Sequence, residues 1–296
     1  MTKLIQDGAA SMEGNAMEKA VTGINLRPVA NAKCAVSDFD RTLYVNGEIS
    51  WEDIQAVRRW QEAGNWFVIA TGRNESGLKE KLFSYGCRPD AYILNNGARV
   101  LLADGRELYC KTIDDSTAQA VLHYLDEHSL DGCGVSLRSR KINILSAANT
   151  TTQKPCGQTI TIGQAAELRD IVQIHTRRPD DVAWTVSLCQ ELNRRFPGIS
   201  AYANVWNADI MAHGVDKAAG ITHLIGYTGD FAQILTIGDS ENDVGMIRQY
   251  KGAAVDWACE NARQAAAHIV SSVAEYLAVF TSQTPSQTAH PAPENE

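Results

Sequence analysis

The residues best suited to chemistry fall in four short clusters. The first is Ser37-Asp38-Phe39-Asp40-Arg41-Thr42, directly after the apolar run Cys34-Ala35-Val36. Two carboxylates two residues apart at the end of a buried strand are costly unless a cation or a proton relieves them. A hard divalent ion such as Mg²⁺ would do so. One carboxylate could then act as a nucleophile while the other moves a proton. The structural alternative is an Asx-rich turn that closes the strand. The second cluster is Ala70-Thr71-Gly72-Arg73. Here a hydroxyl precedes a glycine that lets the backbone approach an anion, and the helix that follows favours negative charge at its N-terminus. The third, His213-Gly214-Val215-Asp216-Lys217, opens another helix. A lysine in the first turn opposes the helix dipole, so it suits a fixed anion better than it suits stability. The fourth is Ile237-Gly238-Asp239-Ser240-Glu241-Asn242-Asp243. Gly238 permits a tight turn, and Asp239 and Asp243 supply hard oxygen ligands. The spacing lacks the glycine and terminal glutamate of an EF-hand loop.

These clusters need elements to bring them together. Cys34–Ser37 reads as a short buried strand, followed by a turn at Asn46-Gly47. Ser50 caps a helix with Asp53 three residues on, Ile54, Val57 and Trp60 lie on its apolar face, and Gly64 ends it. Trp66–Ala70 is continuously apolar, as a strand covered on both faces should be. A helix through Leu78, Leu82 and Phe83 leads to a strand at Ala91–Leu94. This βαβαβ order predicts a parallel sheet with right-handed crossovers. The middle differs. A hairpin around Asp104-Gly105 is followed by a helix over 115–128, strands near 134–138 and 141–146, a helix near 163–169, a strand near 171–176 and a helix near 179–195. After residue 207 the first pattern resumes: a helix from Lys217, strands at 233–237, 253–256 and 268–271, and a last helix over 273–280. The chain reads as a parallel-sheet α/β domain interrupted by an α+β insert. Each cluster falls at a strand end or a helix start, where open α/β sheets place their sites.

Length and composition narrow the functional classes. At roughly 150 residues per domain, 296 residues suggest two domains or one large one. A net charge of -8 argues against a nucleic-acid or membrane-surface binder, because both need basic excess. An anionic substrate would need local cations or a metal ion. No apolar stretch reaches the ~18 residues of a membrane span, and the N-terminus has no secretory h-region. The seven cysteines are scattered without a CxxC pair, which predicts reduced thiols in a cytoplasmic protein. Residues 1–32 and 283–296 read as tails.

Asp-x-Asp-x-Thr, Thr-Gly-Arg, a helix-start lysine and Gly-Asp-x-x-Asn-Asp occur in that order. Together they resemble the haloacid dehalogenase-like hydrolase superfamily, and most closely its Cof-like branch of small-molecule phosphatases. The resemblance covers roughly residues 33–282 and includes Ile93-Leu94-Asn95-Asn96-Gly97-Ala98 and the run from Gly252 to Ser271. It implies a Rossmann-like core at 33–96 and 207–282 with an α/β cap at 97–206; the hairpin over 99–111 could instead extend the core sheet. It implies that Asp38 attacks phosphorus, that Asp40 acts as acid and then base, and that Asp38, the Asp40 carbonyl and Asp239 bind Mg²⁺. Asp243 and Asn242 would hold metal waters or Lys217. Thr71 and Lys217 would meet the phosphoryl group, with Phe39, Gly72 and Arg73 forming its surroundings. Many relatives carry glycine where this chain has Arg41, whose side chain either points outward or reaches the substrate or the cap. His213 reads as structural, and Arg138, Arg140 and Lys141 as cap residues able to meet a second anionic group. The implied function is a Mg²⁺-dependent phosphatase of a small phosphorylated metabolite such as a sugar phosphate, working as a monomer or homodimer. The alternatives are a phosphomutase and a non-catalytic phosphate-binding regulator.

Overall fold

The computed structural model describes residues 28–128, 132–138, 140–145 and 158–281. Most of the first expected tail, all of the second, and Cys156 lie outside them. The chain begins with β1 (Lys33–Ser37), α1 (Trp51–Glu62), β2 (Trp66–Ala70), α2 (Glu75–Ser84) and β3 (Ala91–Leu94), then makes the hairpin β4 (Arg99–Leu102) and β5 (Glu107–Cys110). Next come α3 (Asp115–Glu127), β6 (Gly134–Ser136), β7 (Lys141–Leu145), β8 (Thr159–Thr161), α4 (Ile162–Ala166), β9 (Gln173–Arg177), α5 (Val182–Arg195), β10 (Ile199–Asn204) and β11 (Asn207–Ala212). The last stretch is α6 (Lys217–Thr228), β12 (Gln233–Gly238), α7 (Val244–Tyr250), β13 (Ala253–Val255), α8 (Glu260–Ala265), β14 (His268–Val270) and α9 (Val273–Thr281).

These strands make two sheets. The larger runs β14-β13-β12-β1-β2-β3-β4-β5. Its first six strands are mutually parallel, and β4 and β5 add an antiparallel edge. From β1 the chain builds outward to β2 and β3, and later from β12 to β13 and β14. The strand order therefore reverses between β1 and β12, and a crevice at the carboxyl ends of these two strands is the expected binding place. Phe67, Val68, Ile69 and Ala70 of β2 are fully buried, as predicted for a strand covered on both faces. Ser50 accepts from the Asp53 N–H at 3.0 Å to cap α1, and Asp53 accepts from the Ala274 N–H at 2.7 Å, tying α1 to α9.

The smaller sheet runs β10-β11-β9-β6-β7-β8 and is antiparallel except between β7 and β8. It has its own apolar core, in which Val121, Leu122 and Leu125 of α3 and Leu188 and Leu192 of α5 join buried strand residues. The chain passes from one sheet to the other after Cys110 and returns after Ala212. The hairpin β4–β5 pairs with β3 in the larger sheet, and β11 pairs with β10 and β9 in the smaller one. The expected insert of 97–206 therefore takes in a hairpin of the larger sheet and stops short of β11. Strands β8, β10 and β11 and helices α7 and α8 were not foreseen. The turn between β10 and β11 is Val205-Trp206, with Val205 at φ 53°. It carries none of the glycine or asparagine at the turn centre that marks a two-residue hairpin in sequence.

Candidate active site

Asp38 follows β1 and Asp239 follows β12, and these neighbouring strands are in register from Lys33↔Gln233 to Ser37↔Ile237. The pairing brings two distant carboxylates side by side. Asp38, Asp239 and Asp243 each offer a carboxylate oxygen, and these oxygens lie within 4.8 Å of one another. All three residues are buried.

Lys217 reaches the same point from the first turn of α6. Its side chain is fully buried, and its Nζ donates to Asp38 Oδ1 and to Asp243 Oδ1, both at 2.6 Å. Asp216 holds the helix start by accepting from the Ala219 N–H at 2.7 Å. Gly97 makes the approach possible: at φ +103° it packs so closely that an added Cβ would lie 1.9 Å from the Asp216 carbonyl oxygen. Asp243 uses its other oxygen to accept from the N–H groups of Asp239 and Ser240, both at 3.0 Å, which closes the loop after β12.

Three carboxylates around one ammonium leave excess negative charge in a dry place. Burial pushes the Asp38 carboxyl well above its usual range; Lys217 opposes this, while Asp243 and Asp239 add to it. Burial and then Asp243 raise Asp239 to about 6, against the Ser240 hydrogen bond and Arg41. For Lys217, burial acts downward, but Asp243 and Asp38 outweigh it and the pKa rises. Asp38 Oδ2 is buried with no hydrogen-bond partner. A hard divalent cation fits such a donor set, which supplies carboxylate oxygens, excess charge and an orphaned acceptor.

Asp40 stands apart from this cluster. Its carboxylate takes a bidentate pair from Arg73, Nε to Oδ2 at 2.6 Å and Nη2 to Oδ1 at 2.7 Å. Its side chain is therefore fixed in orientation by Arg73 and is not a member of the carboxylate cluster. Thr71 is buried, and its Oγ1 accepts from the Arg73 N–H at 3.1 Å, fixing the turn after β2. The Phe39 ring lies in the core, stacked on Tyr44 at 5.1 Å with the Arg73 guanidinium 5.5 Å from its centroid, so only its backbone can serve a ligand. Arg41 lies on the wall of the cleft between the two sheets, with its side chain 51% exposed. At φ 64° it turns its Nε to 3.3 Å from Asp239 Oδ2.

A chain of buried amides joins this centre to the smaller sheet. Asn242 donates to Asn96 Oδ1 at 2.9 Å, and Asn96 donates to Asp209 Oδ2 at 3.0 Å. Gln173 donates to Asp209 Oδ1 at 2.9 Å, and Asn95 donates to Gln173 Oε1 at 2.7 Å. Gly72 keeps room for this junction, since an added Cβ would lie 3.1 Å from both Asn96 Nδ2 and Asp209 Oδ2. Sequence reasoning missed Gln173 and Asp209. The available signal was a lone acid inside the apolar run Ala208–Ala212.

The two sheets enclose a cleft of about 980 Å³. Asp38, Asp40, Thr71, Gly72, Arg73, Asp239 and Asn242 face it from the larger sheet, with Arg140, Lys141, His175 and Asp209 among those facing it from the smaller. Lys217 and Asp243 stand behind the wall. Of the cations expected on the insert, Arg138 turns away to Glu107, Nη1 to Oε1 at 2.6 Å. His213 is exposed outside the cleft, and its carbonyl accepts from Lys111 at 2.7 Å.

The haloacid dehalogenase-like hydrolase family model matches residues 35–281. An uncharacterized protein of Mycoplasma capricolum subsp. capricolum is 35% identical over 99 residues, which is 31% of this chain and 37% of that relative. Phosphoglycolate phosphatase 2 of Saccharolobus solfataricus is 25% identical over 223 residues, covering 74% of this chain and 77% of that one. A solved haloacid dehalogenase subclass IIB sugar phosphatase shares the fold at a TM-score of 0.73 and 20% identity, covering 84% of this chain and 99% of its own. With the family model spanning both halves of the larger sheet and all of the smaller one, this chain belongs to the haloacid dehalogenase-like hydrolase family.

Proposed function

We propose that this chain is a cytoplasmic Mg²⁺-dependent phosphatase that hydrolyses a small phosphomonoester through an aspartyl-phosphate on Asp38. The observation that carries the proposal is the buried Asp38 carboxylate on the wall of the cleft, with one oxygen held by Lys217 at 2.6 Å and the other unpartnered. In this reading the larger sheet and its helices are the catalytic core, and the smaller sheet is a cap that reads the leaving group. The phosphatase names among the relatives support it.

Asp38, Asp239 and Asp243 would hold the metal, with the Asp40 carbonyl and Asn242 nearby. Bound there, Mg²⁺ offsets charge on the phosphoryl oxygens. The chain's own groups do the rest. Lys217 orients the Asp38 carboxylate and lowers the cost of bringing an anionic phosphate to it. Thr71 and the backbone at Gly72 bind phosphoryl oxygens. Asp38 attacks phosphorus, the bond to the ester oxygen breaks, and Asp40 gives that oxygen its proton. Water then attacks the aspartyl-phosphate and passes a proton back to Asp40; the bond to Asp38 breaks and inorganic phosphate leaves. Arg73 occupies one lone pair on each Asp40 oxygen, and the remaining lone pairs are left for the proton.

The test is phosphate release from a panel of phosphomonoesters, with Mg²⁺ or with EDTA, by wild type and Asp38→Asn. Metal-dependent release that falls at least 10³-fold in the variant is expected. Release undiminished in Asp38→Asn would overturn the assignment of the nucleophile. Binding of phosphomonoesters without any release would move the reading to a mutase or a regulator.

A further inference from the structure

The cleft has four cationic side chains on its wall, and they are not equivalent. Arg41 and Arg73, from the larger sheet, are each paired to a carboxylate, Asp239 and Asp40. Arg140 and Lys141, from the smaller sheet, have no carboxylate within 4 Å among the described residues. Their positions follow from strand register. Ser136 stands opposite Lys141 on one side and opposite Gln173 on the other, so the three form one row across β7, β6 and β9. His175 and Asp209 form the next row. All five line the cleft.

Both walls affect this lysine. Confinement lowers the Lys141 pKa; Asp209 acts against that, and Arg177 and Arg73 act with it. Arg73 and Lys141 line the same cleft, one from each wall. His175 is held well below its ordinary pKa by burial and then by Lys141 and Arg177, so it stays a neutral donor or acceptor beside them. Asp209, whose oxygens also accept from Gln173 and Asn96, offsets part of this charge, and Arg140 beside Lys141 leaves this wall with net positive charge. The result is a cleft with a phosphoryl site on one wall and uncommitted positive charge on the other. In a chain of net charge -8, an incoming anion gains nothing from the overall field, so such local charge decides what binds.

We propose that Lys141, assisted by Arg140, forms a subsite for a second anionic group, so that the preferred substrates are phosphomonoesters that also carry a carboxylate or a second phosphate. This rests on the phosphatase reading above and names the substrate class for the same cleft.

Two matched pairs of ligands test it. 3-Phospho-D-glycerate and sn-glycerol 1-phosphate differ only in a carboxylate against a hydroxymethyl group, and so do 6-phosphogluconate and glucitol 6-phosphate at greater reach. Affinities are measured by calorimetry with Mg²⁺ on Asp38→Asn, and kcat/KM on the protein with Asp38 intact, each with and without Lys141→Gln. The acid member is expected to be favoured at least tenfold in one pair or both, with the ratio falling to within about twofold of unity once Lys141 is replaced. A merely structural role for Lys141 would weaken both members alike and preserve the ratio, which would overturn the proposal. So would ratios near unity before the substitution. Release from all four esters without any preference would sink the subsite and leave the phosphatase reading standing. A preference in binding with no release from any ester would do the reverse.

Discussion

The Lys217 ammonium lies 2.6 Å from the Asp38 carboxylate in a place closed to solvent, and the same nitrogen is 2.6 Å from Asp243. One cation therefore holds two buried carboxylates, and it opposes the burial that raises Asp38. Removing only one partner of such a group leaves uncompensated charge, which typically costs about 3–5 kcal/mol. Lys217→Met keeps most of the stem volume and deletes the charge. It should lose about that much stability in EDTA, measured by urea denaturation, and lower kcat at least ~100-fold. Added Mg²⁺ should recover more melting temperature in the variant than in wild type, because a second cation can then relieve the same carboxylates. Equal recovery in both proteins would contradict a shared site.

Arg73 and Asp40 form a different kind of pair. Their side chains are 35% and 41% exposed, so the bond contributes little to stability, under about 1 kcal/mol. Its value lies in geometry, since a planar fork fixes both carboxylate oxygens. Arg73→Lys keeps the charge and loses the fork. Melting temperature should hardly change, while kcat falls about tenfold and KM moves less, because in the proposed mechanism the misplaced group acts in proton transfer and not in binding. Steady-state kinetics beside a thermal melt separate these effects.

Much of this site was legible from spacing. The four clusters follow apolar strands or open helices, and a parallel sheet sends such positions to one edge. Asp38, Thr71 and Asp239 meet there because β2, β1 and β12 are adjacent, and the alternation of strand and helix foretold those strands. Lys217 was legible because a lysine at a helix start needs an anion. The cap side was not. Asp209, Gln173 and His175 reach the cleft only through the register of β9 and β11, and β11 follows a turn whose Val205-Trp206 centre carries no turn signature. The role of Arg41 was also hidden, because a left-handed backbone conformation at a long side chain leaves no trace in composition.

Asp239 sets the expected pH dependence. Burial and Asp243 raise it to about 6, above the ordinary carboxylate value of 3.8. Between those values the metal-free folded state binds a proton that the unfolded chain releases. Stability without metal should therefore fall as pH rises from about 4 to about 6, and this contribution should level off above that. A cation competes with the same proton. Through Asp239, Mg²⁺ affinity should weaken progressively below about pH 6, toward tenfold per unit. Calorimetric titration at pH 5, 6 and 7.5 reads this directly. Affinity independent of pH across that range would mean that Asp239 does not ligate the ion.

Gly97 links the end of β3 to Lys217, the lysine that holds Asp38. Its φ of +103° is strained for any other residue, and an added Cβ would stand 1.9 Å from the Asp216 carbonyl oxygen and 3.3 Å from the Lys217 nitrogen. The obstacle is backbone, so no side-chain rotation relieves it; the start of α6 must move. Gly105 offers a control within the same hairpin region. It has φ +90° but nothing within 4 Å of the added atom, so substitution there brings conformational strain alone. Gly105→Ala should lose about 1 kcal/mol and keep its activity. Gly97→Ala should lose ~2–3 kcal/mol or more, and the folded fraction that remains should show a lower kcat, because Lys217 is displaced from Asp38. If chemical denaturation and kinetics found the two variants alike, steric contact at the start of α6 would not be what sets the Lys217 position.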